Sequence, residues 1–133
     1  AEAECRLGND AGAREYLMDL MSKRDASYSC AQKSGTSMGK LTSDYTGSLL
    51  EEIIIQRRIE LWGEFGRIYD IRRLKQGFKR TAEMGWPTDA LLVNRNANDP
   101  ESYMWVLTIP QTEFDGNSSL DQTKDQNPVG DTK

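Results

Sequence analysis

Apolar residues recur at helical spacing over most of the first 76 positions. Residues 1–7 are good helix formers, and Gly8 can end the helix that they predict. A second helix is predicted to begin at Asn9 or Asp10 and to run to about Lys23. Its apolar stripe consists of Ala13, Leu17, Leu20 and Met21. Two short helices in succession predict an antiparallel hairpin, which is the unit that helical solenoids repeat.

The longest helical pattern begins at Ser48 and is predicted to run to about Gln76, where Gly77 can end it. Ser48 and Glu51 have the spacing of a capping box, in which each side chain bonds the backbone N–H of the other residue. The apolar stripe keeps helical spacing for about five turns. It consists of Leu50, Ile54, Leu61, Phe65 and Ile68. We expect Trp62, inside this helix, to be packed against other side chains.

The remaining segments predict loops. Residues 33–47 are rich in Ser, Thr and Gly, which is typical of an exposed loop. Tyr103–Ile109 is β-branched and aromatic enough for one short strand or extended segment, and Pro110 suits the first position of a helical turn. The tail from residue 117 has almost nothing to bury, so we expect it to cover a larger body or to be disordered.

The predicted fold is therefore mainly α, with long loops and at most one short strand. Its parts are a helical hairpin at 1–23, a loop at 33–47, a long helix at 48–77 and a loop-rich C-terminal wrap at 78–133.

Composition excludes several classes of function. The 133 residues include 17 basic and 21 acidic side chains and no histidine. The net charge of −4 argues against a nucleic-acid binder, and the absence of histidine excludes Ser-His and Cys-His catalytic pairs. The acidic excess is uneven, because Ser48–Arg80 holds eight basic and five acidic residues. Apolar runs fall far short of the ~20 residues that cross a bilayer.

Four charged residues of the long helix could form either a catalytic pair or a structural ladder. Arg57, Glu60, Glu64 and Arg67 fall within a sector of ~80° beside the apolar stripe. Glu60 and Glu64 could act as the two carboxylates of a glycosidase. Flanking arginines would lower the pKa values of both acids, however, and a general acid needs the opposite shift. We therefore favour an ion-pair ladder that fixes this helix to the rest of the fold.

Two further sets of side chains have candidate chemistry. Oxygen-bearing side chains alternate at Gln111, Glu113, Asp115 and Asn117, a pattern that could bind Ca²⁺, although a solvated turn fits it better. Cys5 ends one predicted helix, whereas Cys30 lies beyond the end of the next. Their different heights in a hairpin favour free or separately buried thiols over a disulfide.

Three motifs, in chain order, resemble those of the SusD/RagB family. Three segments resemble its signature helix: Leu50-Glu51-Glu52-Ile53, Gln56-Arg57-Arg58-Ile59-Glu60-Leu61-Trp62-Gly63-Glu64 and Arg67-Ile68-Tyr69-Asp70-Ile71-Arg72-Arg73. Ile109-Pro110-Gln111-Thr112-Glu113 and Gln126-Asn127-Pro128 resemble its C-terminal "IP..E" and "QNP" motifs. Gln56 and Phe65-Gly66 depart from the family pattern. The resemblance covers nearly the whole chain and corresponds to the C-terminal third of a family member.

The resemblance implies a tetratricopeptide-type helical fold and a role in nutrient uptake. SusD-like proteins are outer-membrane lipoproteins of the Bacteroidetes, lipid-anchored and facing outward from the cell surface. They bind glycans, cap a TonB-dependent (SusC-like) transporter and are not enzymes. The resemblance implies no cofactor, and it marks Arg57, Glu60, Glu64, Arg67 and Asp70 as the structural signature.

The aromatic residues outside predicted helices are the candidates for glycan contact. Trp86, Tyr103 and Trp105 could stack on sugar rings, although core packing is the more common role for such side chains. We expect this chain to supply mainly scaffold. The alternative is a tetratricopeptide-type protein-interaction module without glycan binding, although a single hairpin followed by loops makes a poor solenoid.

Overall fold

The computed structural model of the chain describes residues 1–64, 66–77, 82–85 and 106–129. The chain divides into two compact units, Ala1–Arg67 and Ile68–Lys133. The fold is mainly helical, as the sequence predicts, and the described residues form no sheet. Within those residues, no helix combines the length and apolar character that crossing a membrane requires.

The first unit begins with the two short helices that the sequence predicts. Helix α1 is Glu2–Arg6 and helix α2 is Asp10–Met21. Gly8 joins them with a φ of +83°, in the left-handed region that glycine adopts without steric cost. The Asn9 side chain caps α2 by accepting a hydrogen bond from the Gly12 N–H at 3.1 Å.

Helix α3, Leu49–Glu60, completes the core of this unit by contacting both α1 and α2. Leu49 and Leu50 are almost fully buried, as the first residues of α3 face the hairpin. The other buried side chains are Cys5, Ala13, Leu17, Met21, Cys30, Ile53 and Ile54. Both cysteines are free, which confirms the prediction of separately buried thiols. Burial raises the pKa of each thiol, so both are held in the protonated, unreactive form.

The prediction of one helix over 48–77 is wrong, because the chain leaves the helix after Glu60. Helix α4, Arg67–Arg73, begins after a turn in which Gly63 has a φ of +82°. The turn interrupts the apolar stripe, and Ile68 is 43% exposed. Trp62, expected to be packed, is 87% exposed. Helix α4 also ends before Gly77, at Arg73, and Lys75 follows it with a φ of +50°.

The described parts of the second unit are short helices joined by loops. A 3-10 turn spans Ala82–Met84, and the helices α5 and α6 span Gln111–Gly116 and Gln122–Asp125. Pro110 precedes α5 directly, which agrees with the helical turn that the sequence predicts there. The polar tail thus contains a helix, α6. Residues 106–109 form no strand, and the rest of the predicted strand lies outside the described residues.

Candidate functional site

The charged residues of the predicted ladder do not share one continuous helix face. Glu60 is the last residue of α3 and forms an ion pair with Arg24, which follows α2. Glu64 is exposed in the turn, and Arg67 is the first residue of α4. The break after Glu60 is what separates the two pairs of charges. Glu60 thus connects the end of α3 to the segment after α2.

Asp70 is the buried acid of helix α4. Its exposure is 5%, and its Oδ1 accepts a hydrogen bond from Arg73 Nε at 2.8 Å. The two residues are three positions apart, so they face the same side of the helix. A carboxylate with so little exposure to solvent requires such a partner, because an unpaired buried charge is strongly destabilising.

Residues 33–48 form a loop that we call the strap, and Glu51 holds its C-terminal end. The Glu51 carboxylate accepts hydrogen bonds from the Thr46 N–H at 2.8 and 3.0 Å and from the Gly47 N–H at 2.7 Å. The Ser48 hydroxyl accepts one from the Glu51 N–H at 3.1 Å, as the capping box predicts. The return bond differs from the prediction, since Glu51 bonds Thr46 and Gly47 rather than Ser48. The first turn of α3 therefore fixes the strap.

Helix α2 holds the other end of the strap. Asp10 Oδ2 accepts a hydrogen bond from the Gly35 N–H at 3.0 Å, and Arg14 Nη1 donates one to the Lys33 carbonyl at 2.9 Å. The Leu49 and Leu50 N–H groups donate to the carbonyls of Ser34 and Gly35, both at 3.1 Å. Charged side chains of two helices thus fix a loop that has few apolar residues of its own.

Glu52 is the centre of a half-buried polar cluster beside the strap. It accepts hydrogen bonds from the Tyr28 hydroxyl at 2.7 Å and from Gln56 Nε2 at 2.9 Å, and it pairs with Lys33 Nζ at 3.2 Å. Burial alone would raise the pKa of Glu52, but these three donors outweigh it and lower the pKa. Burial and the Glu52 carboxylate both raise the pKa of Tyr28. The cluster satisfies its own polar groups, which is typical of a structural role.

The two C-terminal motifs bind each other in the second unit. The Gln126 side-chain amide accepts a hydrogen bond from the Ile109 N–H at 2.8 Å and donates one to the Ile109 carbonyl at 3.0 Å. Asn127 Nδ2 donates to the Leu107 carbonyl at 2.7 Å. We call this contact the C-terminal clasp. It explains why the two motifs occur together, since the side chains of one satisfy the backbone of the other.

The candidate metal ligands do not converge. Gln111, Glu113 and Asp115 lie on helix α5, where residues two apart point in nearly opposite directions. Gln111 Nε2 donates to Asp115 Oδ1 at 2.9 Å, and Asn117 Oδ1 accepts from the Ser119 N–H at 3.0 Å. Among the described residues, no group of three or more Cys, Asp or Glu side chains could hold a metal ion.

The candidate glycan contacts Trp86, Tyr103 and Trp105 all lie outside the described residues. The residue that the sequence reasoning misplaced is Trp62. The periodic stripe on either side of it predicted burial, whereas Gly63 was the signal for a turn that leaves the indole exposed. The contacts of Asp10 and Glu51 with the strap were not predicted either. Asp10 bonds a residue far from it in the sequence, and Glu51 bonds residues that precede its own helix.

Comparison with known protein families identifies the class to which this helical fold belongs. The model of the SusD family (SusD_RagB) matches residues 1–128, which is nearly the whole chain. The chain belongs to the SusD/RagB family. Members of this family bind glycans and serve nutrient uptake at the outer membrane, as binding proteins rather than enzymes. A search of curated proteins and a search of solved structures found no match.

Proposed function

We propose that this chain belongs to a glycan-uptake complex on the outer face of the outer membrane. Its partner in this proposal is a TonB-dependent, SusC-like transporter, which the SusD-like protein caps and supplies with ligand. The observation that carries the proposal is the family match over residues 1–128. A lipid anchor would hold the protein at the cell surface, and no cofactor is involved.

The chain supplies mainly scaffold in this proposal. Its charged side chains bind the protein itself: Glu60 pairs with Arg24, Asp70 with Arg73, and Glu51 holds the strap. We assign Arg57, Glu60, Glu64, Arg67 and Asp70 to this structural signature. Trp86, Tyr103 and Trp105 are the proposed glycan contacts, since an aromatic face stacks on the apolar face of a sugar ring.

Two experiments test the proposal. Calorimetry of this chain with maltohexaose, cellohexaose, xylohexaose and mannohexaose should detect weak binding or none, because a scaffold segment lacks most of the ligand site; a Kd of about 1 mM is equivalent to about −4 kcal/mol. A Kd below about 1 mM would show that part of the glycan site resides in this chain. Trp86→Ala and Trp105→Ala should then weaken binding, whereas Tyr16→Ala, which changes an exposed aromatic residue of α2, should not.

The second experiment tests the partner and the location. An affinity tag on this protein should capture a TonB-dependent transporter from detergent-solubilised outer membranes, and protease added to intact cells should degrade the protein. The proposal would be refuted if the transporter were absent from the captured material and the protein were protected from the protease on intact cells.

A further inference from the structure

The middle of the strap contributes no buried side chain to the core of the first unit. Every residue from 35 to 47 is exposed or half-buried, whereas Leu49 and Leu50, just beyond the strap, are almost fully buried. Burial of apolar surface is the main force that holds a segment in place, so the strap depends on its polar contacts. Its detachment would leave the apolar core between α1, α2 and α3 intact.

The polar contacts that attach the strap to the helices are concentrated at its two ends. Asp10 binds the Gly35 N–H at one end, and Glu51 binds the N–H groups of Thr46 and Gly47 at the other. Gly35 and Gly47 each have a φ of +76°, which glycine adopts without steric cost. The chain therefore changes direction at a glycine at each end of the strap.

Contacts within the strap join its two halves. The Ser37 carbonyl accepts hydrogen bonds from the hydroxyl of Thr46, at 3.0 Å, and from the hydroxyl of Ser48. Gly39 lies so close to Asp44 that a Cβ atom at position 39 would overlap the Asp44 carbonyl oxygen. Because the first half of the strap is bound to the second, a movement that starts at one end should carry the other end with it.

The Cys5 thiol lies directly beneath the end of the strap that Asp10 holds. Cys5 is 0% exposed, and its Sγ donates to the Gly35 carbonyl at 3.6 Å and to Asp10 Oδ1 at 3.9 Å. Burial, together with the charge of Asp10, raises the pKa of this thiol. The residue that covers the thiol is thus the same residue that the Asp10 carboxylate fixes.

We propose that residues 35–47 form a cover that opens as one unit while α1, α2 and α3 remain folded, and that this opening controls access to the Cys5 thiol. Asp10 and Glu51 hold the cover closed from opposite ends. The inference does not depend on the proposed glycan-uptake function, because every contact that supports it lies within the first unit.

The first test measures the opening in the wild-type protein. Hydrogen exchange at increasing urea concentrations gives the free energy of opening for the N–H groups of Gly35, Thr46 and Gly47. Methyl methanethiosulfonate gives the same quantity for Cys5, with the modified residue located by mass spectrometry. All four groups should give one common value with a weak dependence on urea, well below the value for an interior N–H group of α3 such as that of Ile55.

The thiol reaction reports opening because it requires direct access to sulfur. The Cys5 thiol loses its proton to solvent, and the thiolate attacks the sulfur that carries the methyl group of the reagent. A methyl disulfide forms on Cys5, and methanesulfinate leaves. Because closed molecules are protected, the observed rate is the rate of an accessible thiol multiplied by the fraction of molecules that are open.

The second test changes one end of the strap and measures the other end. Asp10→Ala should speed exchange of the Thr46 and Gly47 N–H groups about tenfold or more, because a hydrogen bond to a charged group is lost. Glu51→Gln should speed the reaction of Cys5 about five- to thirtyfold, equivalent to about 1–2 kcal/mol at roughly 1.4 kcal/mol per factor of ten. The matched controls, Asp19→Ala and Glu15→Gln, change exposed residues of α2 and should alter neither rate.

Three results would overturn the inference. If all four groups show the free energy and urea dependence of global unfolding, the strap does not open by itself. If Asp10→Ala leaves exchange at Thr46 and Gly47 unchanged, the two ends move separately. If Cys5 reacts only on global unfolding while the strap N–H groups exchange earlier, the strap does not control the thiol. The wild-type measurements stand even if a variant fails to fold.

Discussion

Replacing Glu51 with Gln should release the C-terminal end of the strap. Glu51 is 6% exposed, and both of its oxygens accept hydrogen bonds from N–H donors of the strap. Glutamine has nearly the same shape but replaces one of these oxygens with an NH₂ group. Oε2 accepts from both N–H groups, whereas Oε1 accepts only from the Thr46 N–H. The glutamine oxygen can keep the place of Oε2, so only the Thr46 bond to Oε1 is lost, and the two bonds that remain no longer involve a charged group.

The expected cost follows from the charge and burial of this contact. A hydrogen bond to a charged group contributes roughly 1.5–3 kcal/mol, and a hydrogen bond between neutral groups contributes roughly 0.5–1.5 kcal/mol. Two bonds are each weakened by roughly 1 kcal/mol and relaxation of the strap recovers part of this loss, so Glu51→Gln should lower the free energy of unfolding by about 1–2 kcal/mol. The native Ser48 cap of α3 is unchanged, so helix α3 itself should persist.

Two measurements check this prediction at pH 7. Urea unfolding followed by circular dichroism gives the change in the free energy of unfolding, and hydrogen exchange reports the N–H groups of Thr46 and Gly47 individually. Both N–H groups should exchange faster in Glu51→Gln. The matched control is Glu15→Gln, which makes the same chemical change at an exposed position of α2. A loss below about 0.5 kcal/mol, within the range of ordinary surface substitutions, with unchanged exchange at both N–H groups would refute the reasoning.

Three further predictions address other contacts. Gln126→Glu removes the donor to the Ile109 carbonyl and should cost about 1–2 kcal/mol, with faster hydrogen exchange at the Ile109 N–H. Gly63→Ala should cost about 1–2 kcal/mol in urea unfolding, because an L-residue is strained at a φ of +82°, whereas Gly66→Ala should be neutral. The lowered pKa of Glu52 stabilises the fold above the carboxyl's unfolded pKa of about 4.3. This stabilisation is lost as the pH falls through the folded pKa, and a comparison of urea unfolding at pH 7 and pH 3 measures it.

Each of these predictions has its own control and contrary outcome. Gln122→Glu makes the same change as Gln126→Glu at an exposed position of α6 and should leave the Ile109 N–H unaffected. Equal losses from Gly63→Ala and Gly66→Ala would show that backbone strain is not the cause. Glu52→Gln removes the titrating group, so an undiminished pH dependence in that variant would assign it to other carboxylates.

The local signals in the sequence predicted where helices α2 and α3 begin better than where they end. Asn9 and Ser48 cap α2 and α3 as expected, because capping depends on residues within one turn of the cap. The break after Glu60 was not predicted, because the apolar stripe continues through it in the sequence. A periodic pattern shows which residues could face one side of a helix. It does not show that a single glycine, here Gly63, adopts a left-handed backbone conformation in the turn after α3.

The contacts of the loops could not be read from local pattern at all. Gln126 and Ile109 are 17 residues apart, and only the folded chain shows that they bind each other. The resemblance to the SusD/RagB family marked both motifs, so their importance was predictable although their contact was not. Asp10 was predicted only as a residue at the start of α2 and Glu51 only as part of a capping box, because their contacts with the strap depend on where that loop lies in the folded chain.

The Gln126 side chain has a consequence for self-association of the protein. By pairing with both the N–H and the carbonyl of Ile109, it occupies the backbone positions that a neighbouring β-strand would otherwise use. An exposed backbone edge next to apolar side chains, such as the 84% exposed Leu107, can act as a template for strand addition from another molecule. A side-chain amide from the same chain blocks that edge at Ile109. The C-terminal clasp therefore occupies the two backbone groups of Ile109 that pairing with a strand of another molecule would need.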